Sequence, residues 1–154
     1  MTEQLHIYID GACSGNPGEA AIGVVLKKDG KTIKEIAKGI GEATNNIAEY
    51  SALVYALQEA LILHEKKILV YTDSELLAKQ LTGQYKIKNK NLQLLFEQVQ
   101  HLTKGFESLE IKQIPREQNK EADKLATGLL KKKQAKVVAP LFEHSGEESP
   151  SSKG

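Results

Sequence analysis

Cysteine, net charge and long apolar runs are all scarce in this sequence of 154 residues. Cys13 is the single cysteine, so an internal disulfide is impossible and a reducing cytoplasm is the expected location. No apolar run approaches the roughly 18–20 residues that a membrane span needs, and the N-terminus lacks the basic start and apolar stretch of a signal peptide. The net charge of +1 argues neither for nor against a nucleic-acid partner.

The chain does contain clear hydrophobic periodicity, and its period changes partway along. An alternating pattern with an Asp-Gly turn signal predicts three antiparallel strands, and helical spacing then alternates with two further strands. The near-continuous apolar run at 66–73 indicates a strand buried on both faces. The predicted strands are 5–10, 20–26, 32–40, 66–73 and 106–114, and the predicted helices are 46–64, 74–81, 91–104 and about 120–132.

This order of elements predicts an α/β protein with one mixed five-stranded sheet flanked by helices. The first three strands are antiparallel and the rest parallel. We see no internal repeat and no second domain, so residues 1–133 are expected to form one catalytic domain. Residues 134–154 lose the periodic pattern and end in a polar segment rich in Ser, Gly and Pro, which predicts a disordered tail.

Four carboxylates fall at informative places in this scheme. Asp10 and Asp73 each end a strand, and the carboxyl ends of neighbouring parallel strands face one crevice. Glu49 lies in the first turn of the long helix, on the flank of its apolar stripe, and is expected to point toward the sheet. Asp123 lies in the first turn of the last helix, three residues before the apolar Ala126.

Each carboxylate alone could be a helix-dipole or turn residue. Together they are harder to explain that way, because two carboxylates about 4 Å apart repel by roughly 4 kcal/mol at an effective dielectric constant near 20. Oxygen ligands without histidine or cysteine favour Mg²⁺ or Mn²⁺. Two such ions about 3.5–4 Å apart form a site that cleaves phosphodiesters by in-line displacement.

Four segments also resemble, in order, the active-site motifs of type 1 ribonuclease H. They are "YIDGACSGNPG", "TNNIAEYSALVYAL", "VYTDSELL" and "PREQNKEADKLA", and the resemblance covers residues 5 to about 130. It implies the ribonuclease H-like fold and an endonuclease that cleaves the RNA strand of RNA–DNA hybrids. The catalytic and metal-binding residues would be Asp10, Glu49, Asp73 and Asp123.

In this family one metal ion activates a water and the other stabilises the departing 3′ oxygen, leaving 5′-phosphate and 3′-hydroxyl ends. The resemblance also implies substrate contacts in the glycine turn, at the start of the long helix and beyond. Small residues there would let backbone N–H groups approach a ribose or phosphate, although Thr and Asn at a helix start can equally be caps. The expected contact residues are Gly11, Cys13, Ser14, Asn16, Thr44, Asn45, Asn46, Ser74, Lys86 and Lys88.

Two departures from the family pattern stand out. Many members carry a histidine in the loop before the last aspartate, where it assists proton transfer or product release, whereas the segment "PREQNKEAD" here has none. Arg116 or Glu117 could take the place of the histidine. If neither does, the step is unassisted, which predicts slow turnover. The long basic insertion of some members is reduced here to the short segment 82–91, whose lysines and Tyr85 could still contact DNA phosphates. The chain starts four residues before the first strand, which indicates no additional N-terminal hybrid-binding domain.

Other interpretations stay open at this stage. The chain could be a catalytically silent nucleic-acid-binding module, an exonuclease or recombination nuclease on the same fold, or a metal binder without activity. A cysteine nucleophile is a weaker alternative, because no histidine lies near Cys13 in the sequence. The favoured expectation is a monomer that binds an RNA–DNA hybrid and two Mg²⁺ or Mn²⁺ ions and has no membrane partner.

Overall fold

The computed structural model describes the backbone of residues 4–143 and the side chains of residues 4–132. Within this part of the chain, five strands and four α-helices follow in the order that the sequence predicts. They are β1 (Leu5–Cys13), β2 (Gly18–Lys28), β3 (Lys31–Ala43), α1 (Asn45–Ile62), β4 (Lys67–Thr72), α2 (Glu75–Leu81), α3 (Lys90–Thr103), β5 (Ser108–Gln113) and α4 (Lys120–Glu143). A single 3₁₀ turn, Arg116–Gln118, precedes α4.

The strands form one sheet in the order β3-β2-β1-β4-β5. β1 and β3 pair antiparallel with β2, and β4 pairs parallel with both β1 and β5. The β2–β3 hairpin closes through Asp29 and Gly30, which both have positive φ, as a tight right-twisting hairpin turn requires. The mixed sheet predicted from the sequence is therefore confirmed.

The main core lies between the sheet and α1. Alternate residues of β1, Leu5, Ile7 and Ile9, are fully buried, and they meet Leu53 and Leu57 from α1. Burying each such side chain contributes about 1.5–3 kcal/mol. This layer fixes the axis of α1, and hence the place of its N-terminus, relative to the end of β1.

Two glycines let the helices approach the sheet at backbone distance. A Cβ on Gly11 would overlap the backbone of Ala48 in α1, and a Cβ on Gly23 would overlap the carbonyl oxygen of Ala122 in α4. Gly23 is the direct partner of Asp10 across the strands, so both face α4, whereas Gly11 faces α1 on the other side of the sheet. The helices that carry Glu49 and Asp123 are thus set against opposite faces of one strand end.

The prediction that the fourth strand is buried on both faces is wrong. In β4, burial alternates: Ile68, Val70 and Thr72 are buried, while Lys67, Leu69 and Tyr71 are half-buried. The reason is that α4 packs on β1, β2 and β3 rather than on β4. On that less covered face the rings of His6, Tyr71 and Tyr8 stack on one another.

The last helix is longer than predicted, because α4 continues to Glu143 instead of ending near residue 132. The added residues read KQAKVVAPLFE, which lacks a clear helical period and contains Pro140, so the sequence pattern did not predict a helix there. The first part of the proposed tail, 134–143, is thus helical, and the disorder predicted for residues 144–154 lies outside the described residues. None of the helices described here is long and apolar enough to cross a bilayer.

Candidate active site

Asp10 and Asp73 reach one edge of the sheet because β1 and β4 run parallel. The register pairs Tyr8 with Tyr71, two residues before each aspartate, so the two aspartates lie level with each other. Asp10 does not end its strand as predicted, because β1 continues to Cys13 through its pairing with β2. Asp10 is 6% exposed. Glu49 is the fifth residue of α1 and so lies just past the first turn in which it was predicted, because the helix begins at Asn45. It turns toward this edge, where its Oε1 accepts a hydrogen bond of 3.1 Å from the backbone N–H of Gly11. The expected inward orientation of Glu49 is what the structure has.

The carboxylate oxygens of Asp10, Glu49 and Asp73 lie within 4.8 Å of one another. Asp123, from the first turn of α4, lies in the same cleft, close enough to Asp10 to raise its pKa. All four carboxylates line one polar cleft of about 310 Å³. The cleft is lined by Asp10, Gly11, Ala12, Cys13, Asn45, Glu49, Asp73, Arg116 and Asp123.

Asp10 and Glu49 resist ionisation in the protein alone. Burial raises the pKa of Asp10 to about 9, and the charge of Glu49, the nearby carboxyl group of Asp123 and the charge of Asp73 act in the same direction. Burial and then the charge of Asp73 raise the pKa of Glu49 to about 8, although the Gly11 N–H and Arg116 partly oppose this.

This donor set fits a hard divalent cation. Among the described residues that line the cleft, Arg116 is the only base, so the protein itself supplies little positive charge against four acids. The ligand atoms on offer are carboxylate oxygens that converge from β1, α1 and the end of β4, which is the chemistry that Mg²⁺ and Mn²⁺ prefer. A bound cation would let these carboxylates ionise together.

Asn119 has a role here that the sequence did not reveal. It directly precedes α4, a position typical of a helix cap, and its backbone oxygen accepts from the N–H of Asp123. Its side chain, however, is turned inward at 1% exposure, where Nδ2 donates to the Ile9 carbonyl at 2.8 Å and to Asp73 Oδ2 at 2.9 Å. Its Oδ1 is buried with no hydrogen-bond partner among the described residues. Asn119 therefore orients Asp73 and ties α4 to β1.

The glycine turn is divided between the cleft and solvent. Gly11 and Cys13 line the cleft, whereas Ser14 and Asn16 lie in the exposed turn that follows β1. The Ser14 hydroxyl donates to the Glu19 carbonyl at 3.3 Å. The thiol of Cys13 has a raised pKa because of burial and the charge of Glu49. That environment keeps the thiol protonated and argues against a cysteine nucleophile.

The start of α1 is joined to this turn. Asn16 Oδ1 accepts a hydrogen bond of 3.0 Å from the backbone N–H of Asn45, which lines the cleft. Thr44 is the N-cap of α1, since its hydroxyl accepts from the N–H of Ile47, and Asn46 is exposed beside it. Capping thus accounts for Thr44.

The remaining candidates lie farther along the chain. Ser74 caps α2, its hydroxyl accepting from the N–H of Leu77 at 3.1 Å. Lys86 and Lys88 are exposed on the segment between α2 and α3 and do not line the cleft. Glu117 is also exposed and does not line the cleft. Of the two residues considered as replacements for the missing histidine, only Arg116 lines the cleft.

Comparisons with known proteins agree with this geometry. A family model described as reverse transcriptase-like matches residues 8–128. The solved structure of RNase H1 from Halobacterium salinarum superposes with a TM-score of 0.82 at 41% identity, covering 84% of this chain and 98% of that one. The chain belongs to the type 1 ribonuclease H family. The predicted family membership is therefore confirmed.

Two further similarities define how far this ribonuclease H relationship reaches. LC11-RNase H1, solved in complex with an RNA/DNA hybrid, has a TM-score of 0.77 and 38% identity, covering 80% of this chain and 94% of that one. The curated Ribonuclease HI of Halobacterium salinarum is 41% identical over 128 residues, which is 82% of this chain. The match spans 64% of that relative's length, and only 34% of a bifunctional protein from Mycobacterium tuberculosis.

Proposed function

We propose that this protein is an endonuclease that hydrolyses the RNA strand of RNA–DNA hybrids with two divalent metal ions, leaving 5′-phosphate and 3′-hydroxyl ends. The observation that carries the proposal is the convergence of Asp10, Glu49 and Asp73 within 4.8 Å, with Asp123 in the same cleft. The hybrid-bound relative, which shares the fold across most of its length, supports the same choice of substrate.

The four carboxylates would hold the ions, which we take to be Mg²⁺, with Mn²⁺ as an alternative. When bound, such ions activate water and neutralise the charge that develops on a reacting phosphate. The protein's part is to keep the ligands fixed. The Gly11 N–H holds Glu49, and the Asn119 amide holds Asp73, so neither carboxylate has to be immobilised when the ions bind.

The substrate contacts in this proposal follow the edge of the cleft. The backbone at Gly11 and Cys13, with Ser14 and Asn16 beyond it, would lie along the RNA strand, where 2′-hydroxyls distinguish RNA from DNA. The amides of Asn45 and Asn46, at the positive N-terminus of α1, suit phosphate and base-edge contacts. Thr44 and Ser74 would contribute from their cap positions, and Lys86 and Lys88 would bind phosphates of the DNA strand.

Proton transfer is the weaker part of this site. Arg116 faces the cleft, but a guanidinium is not deprotonated in proteins, so it can stabilise charge on a phosphate oxygen without acting as a proton shuttle. Glu117 is exposed and outside the cleft lining. We therefore propose an unassisted proton transfer with slow turnover, since a positioned acid or base contributes about 10²–10⁴-fold.

A cleavage assay tests the proposed function. The protein is incubated with labelled RNA–DNA hybrid, double-stranded RNA and double-stranded DNA, each with Mg²⁺, Mn²⁺ or a chelator. We expect internal cuts in the RNA of the hybrid, in the presence of metal, and an unchanged result for Glu121→Gln, which removes an exposed acid of the same helix turn as Asp123.

Other outcomes would replace the proposal. Binding of the hybrid without cleavage would favour a silent nucleic-acid-binding module, and trimming from an end would favour an exonuclease. A cytoplasmic location, which the lone Cys13 supports, and a monomeric state belong to the same proposal. Sedimentation of the purified protein checks the second of these.

A further inference from the structure

The segment between α2 and α3 presents its lysines from a backbone that is held in place. We call residues 86–88 the basic arm. Ile87, in its middle, is half-buried against the main core, and Lys86 and Lys88 on either side of it are exposed. The side chain of Gln93 in α3 donates to the Ile87 carbonyl at 2.8 Å. The arm is thus anchored by the packing of the Ile87 side chain and by the hydrogen bond to the Ile87 carbonyl group.

A buried hydrogen-bond relay reaches the arm from the helix that carries Glu49. Tyr50, the next residue of α1, is 1% exposed, and its hydroxyl donates to Gln80 Oε1 at 2.5 Å. Gln80 Nε2 donates in turn to the Lys86 carbonyl at 3.2 Å.

Gln80 is an unusual choice of residue for its surroundings. Four polar or charged residues are buried among those the structure describes: Asp10, Thr72, Gln80 and Asn119. Asp10 and Asn119 belong to the acidic site, and Thr72 accepts the N–H of Ser74 at the end of β4. Burying an amide is unfavourable unless it is hydrogen-bonded. For Gln80, the relay from Tyr50 to the arm supplies those bonds.

We infer that Gln80, held by Tyr50, is a positioning residue that fixes the basic arm so that Lys86 and Lys88 meet the DNA-strand phosphates of a hybrid bound at the cleft. The inference rests on the proposed function. A segment ordered before binding loses less conformational freedom when the substrate arrives. The relay therefore affects how tightly the hybrid binds, whereas the chemical step depends on the carboxylates.

The test substitutes Gln80→Met, which keeps the side-chain length and removes both hydrogen bonds. Each phosphate contact contributes about 0.9 to the slope of log affinity against log salt, so two contacts change affinity about tenfold between 50 and 200 mM salt. We expect KM for the hybrid to rise about threefold to tenfold at 150 mM salt, with a salt slope reduced by about one to two and kcat near the wild-type value. Tyr50→Phe should give a smaller shift in the same direction.

Four comparison variants make the result specific. The double substitution of Lys86→Ala and Lys88→Ala should reproduce the loss, and adding Gln80→Met to it should cause little further change, because the residues act as one unit. Lys104→Ala, an exposed lysine at the far end of α3, should leave KM and salt slope unchanged. Ile68→Val, a core truncation at the start of β4, controls for lost stability.

The outcomes separate this inference from the proposed function. If Gln80→Met lowers thermal stability yet keeps the wild-type KM and salt slope, Gln80 is only structural and the inference is overturned. If the double lysine variant keeps wild-type KM while the wild-type chain still cuts hybrids, the arm is not a substrate contact, and the proposed function stands without it. Failure of the wild-type chain to bind or cut a hybrid would overturn both.

A second measurement does not depend on activity. Hydrogen exchange of the arm amides in the free protein should be faster in Gln80→Met than in wild type, because the bond to the Lys86 carbonyl is lost. Exchange in Ile68→Val should match wild type in the arm. Equal arm exchange in all three proteins would overturn the inference.

Discussion

Ile9 and Asp10 are neighbours on β1, both are buried, and they affect stability in opposite directions. Ile9 packs under α1 in the main core, and its burial stabilises the fold by about 1.5–3 kcal/mol. Asp10 faces α4 and the acidic cleft, where burial and neighbouring carboxylates raise its pKa and disfavour its charged form. One strand thus supports the fold on one face, while its end holds a charge cluster that the protein alone tolerates poorly.

The difference between the core face of β1 and the acidic cleft shows how the fold keeps the four acids together. The core layer of β1, β2 and α1 is dense enough to hold an unfavourable cluster of acids in place. The close backbone contacts of Gly11 with α1 and of Gly23 with α4 fix the positions of the two helices that carry Glu49 and Asp123. Variants that separate the two regions should therefore change stability and activity independently.

The largest expected effect is that of Asp10→Asn. The amide removes a metal ligand, so hybrid cleavage should fall by about 10³-fold or more if the ions supply several kcal/mol. Without divalent metal at neutral pH, the free energy of unfolding should rise by about 1–3 kcal/mol, because the wild-type carboxyl must take up a proton on folding whereas the amide is neutral in both states. Cleavage rates and urea unfolding check the two parts.

The matched control for Asp10→Asn is Glu121→Gln, an exposed acid that pairs with Lys27 at 2.7 Å outside the cleft. It should leave cleavage unchanged and shift stability by about 1 kcal/mol or less. Wild-type cleavage by Asp10→Asn would show that Asp10 is not a metal ligand.

The converse variant is Ile7→Ala, on the core face of the same strand. Ile7 is fully buried and paired with Leu26 and Val70 across the sheet. Its truncation should lower the free energy of unfolding by about 2–5 kcal/mol, while kcat per folded molecule, measured well below the unfolding temperature, stays near wild type. A kcat that falls in step with stability would mean that the two regions are not separable.

A smaller effect is expected from Asn119→Ala. Removing the amide releases Asp73, so the metal concentration that gives half-maximal cleavage should rise about 10–100-fold, as is typical for groups that orient metal ligands. Asn91→Ala, an exposed asparagine of α3, is the control. An unchanged metal requirement in Asn119→Ala would show that Asp73 is held without it.

Much of this site could be predicted from the sequence, because its ligands are tied to the ends of periodic segments. The alternation of β1 and the parallel strand after α1 predict that Asp10 and Asp73 lie side by side, and helical spacing directs Glu49 toward the sheet. The role of Asn119 could not be predicted, because an amide just before a helix can serve equally well as a cap or as an inward hydrogen-bond donor. Only the approach of α4 to β1 decides between them.

The other misses have the same origin. The fourth strand was predicted to be buried on both faces, but the side of the sheet that carries Tyr71 is buried only where α4 packs on it. A local run of apolar residues does not indicate which strands a distant helix will cover. The contact between Gln80 and Tyr50 joins residues from different helices, so neither sequence neighbourhood signals it. Pairings between distant segments are what periodicity leaves undetermined.

The central claim is that the converging carboxylates need divalent cations, and linked unfolding tests it directly. Because the pKa values of Asp10 and Glu49 are raised in the folded state, the unfolded chain loses these protons first, and the stability they provide falls from about pH 4 to about pH 9. We expect the stability difference between Asp10→Asn and wild type in chelator to grow over this range, and Mg²⁺ to stabilise wild type but not Asp10→Asn at pH 8. A difference that does not vary with pH, together with an equal response of both proteins to Mg²⁺, would contradict the claim.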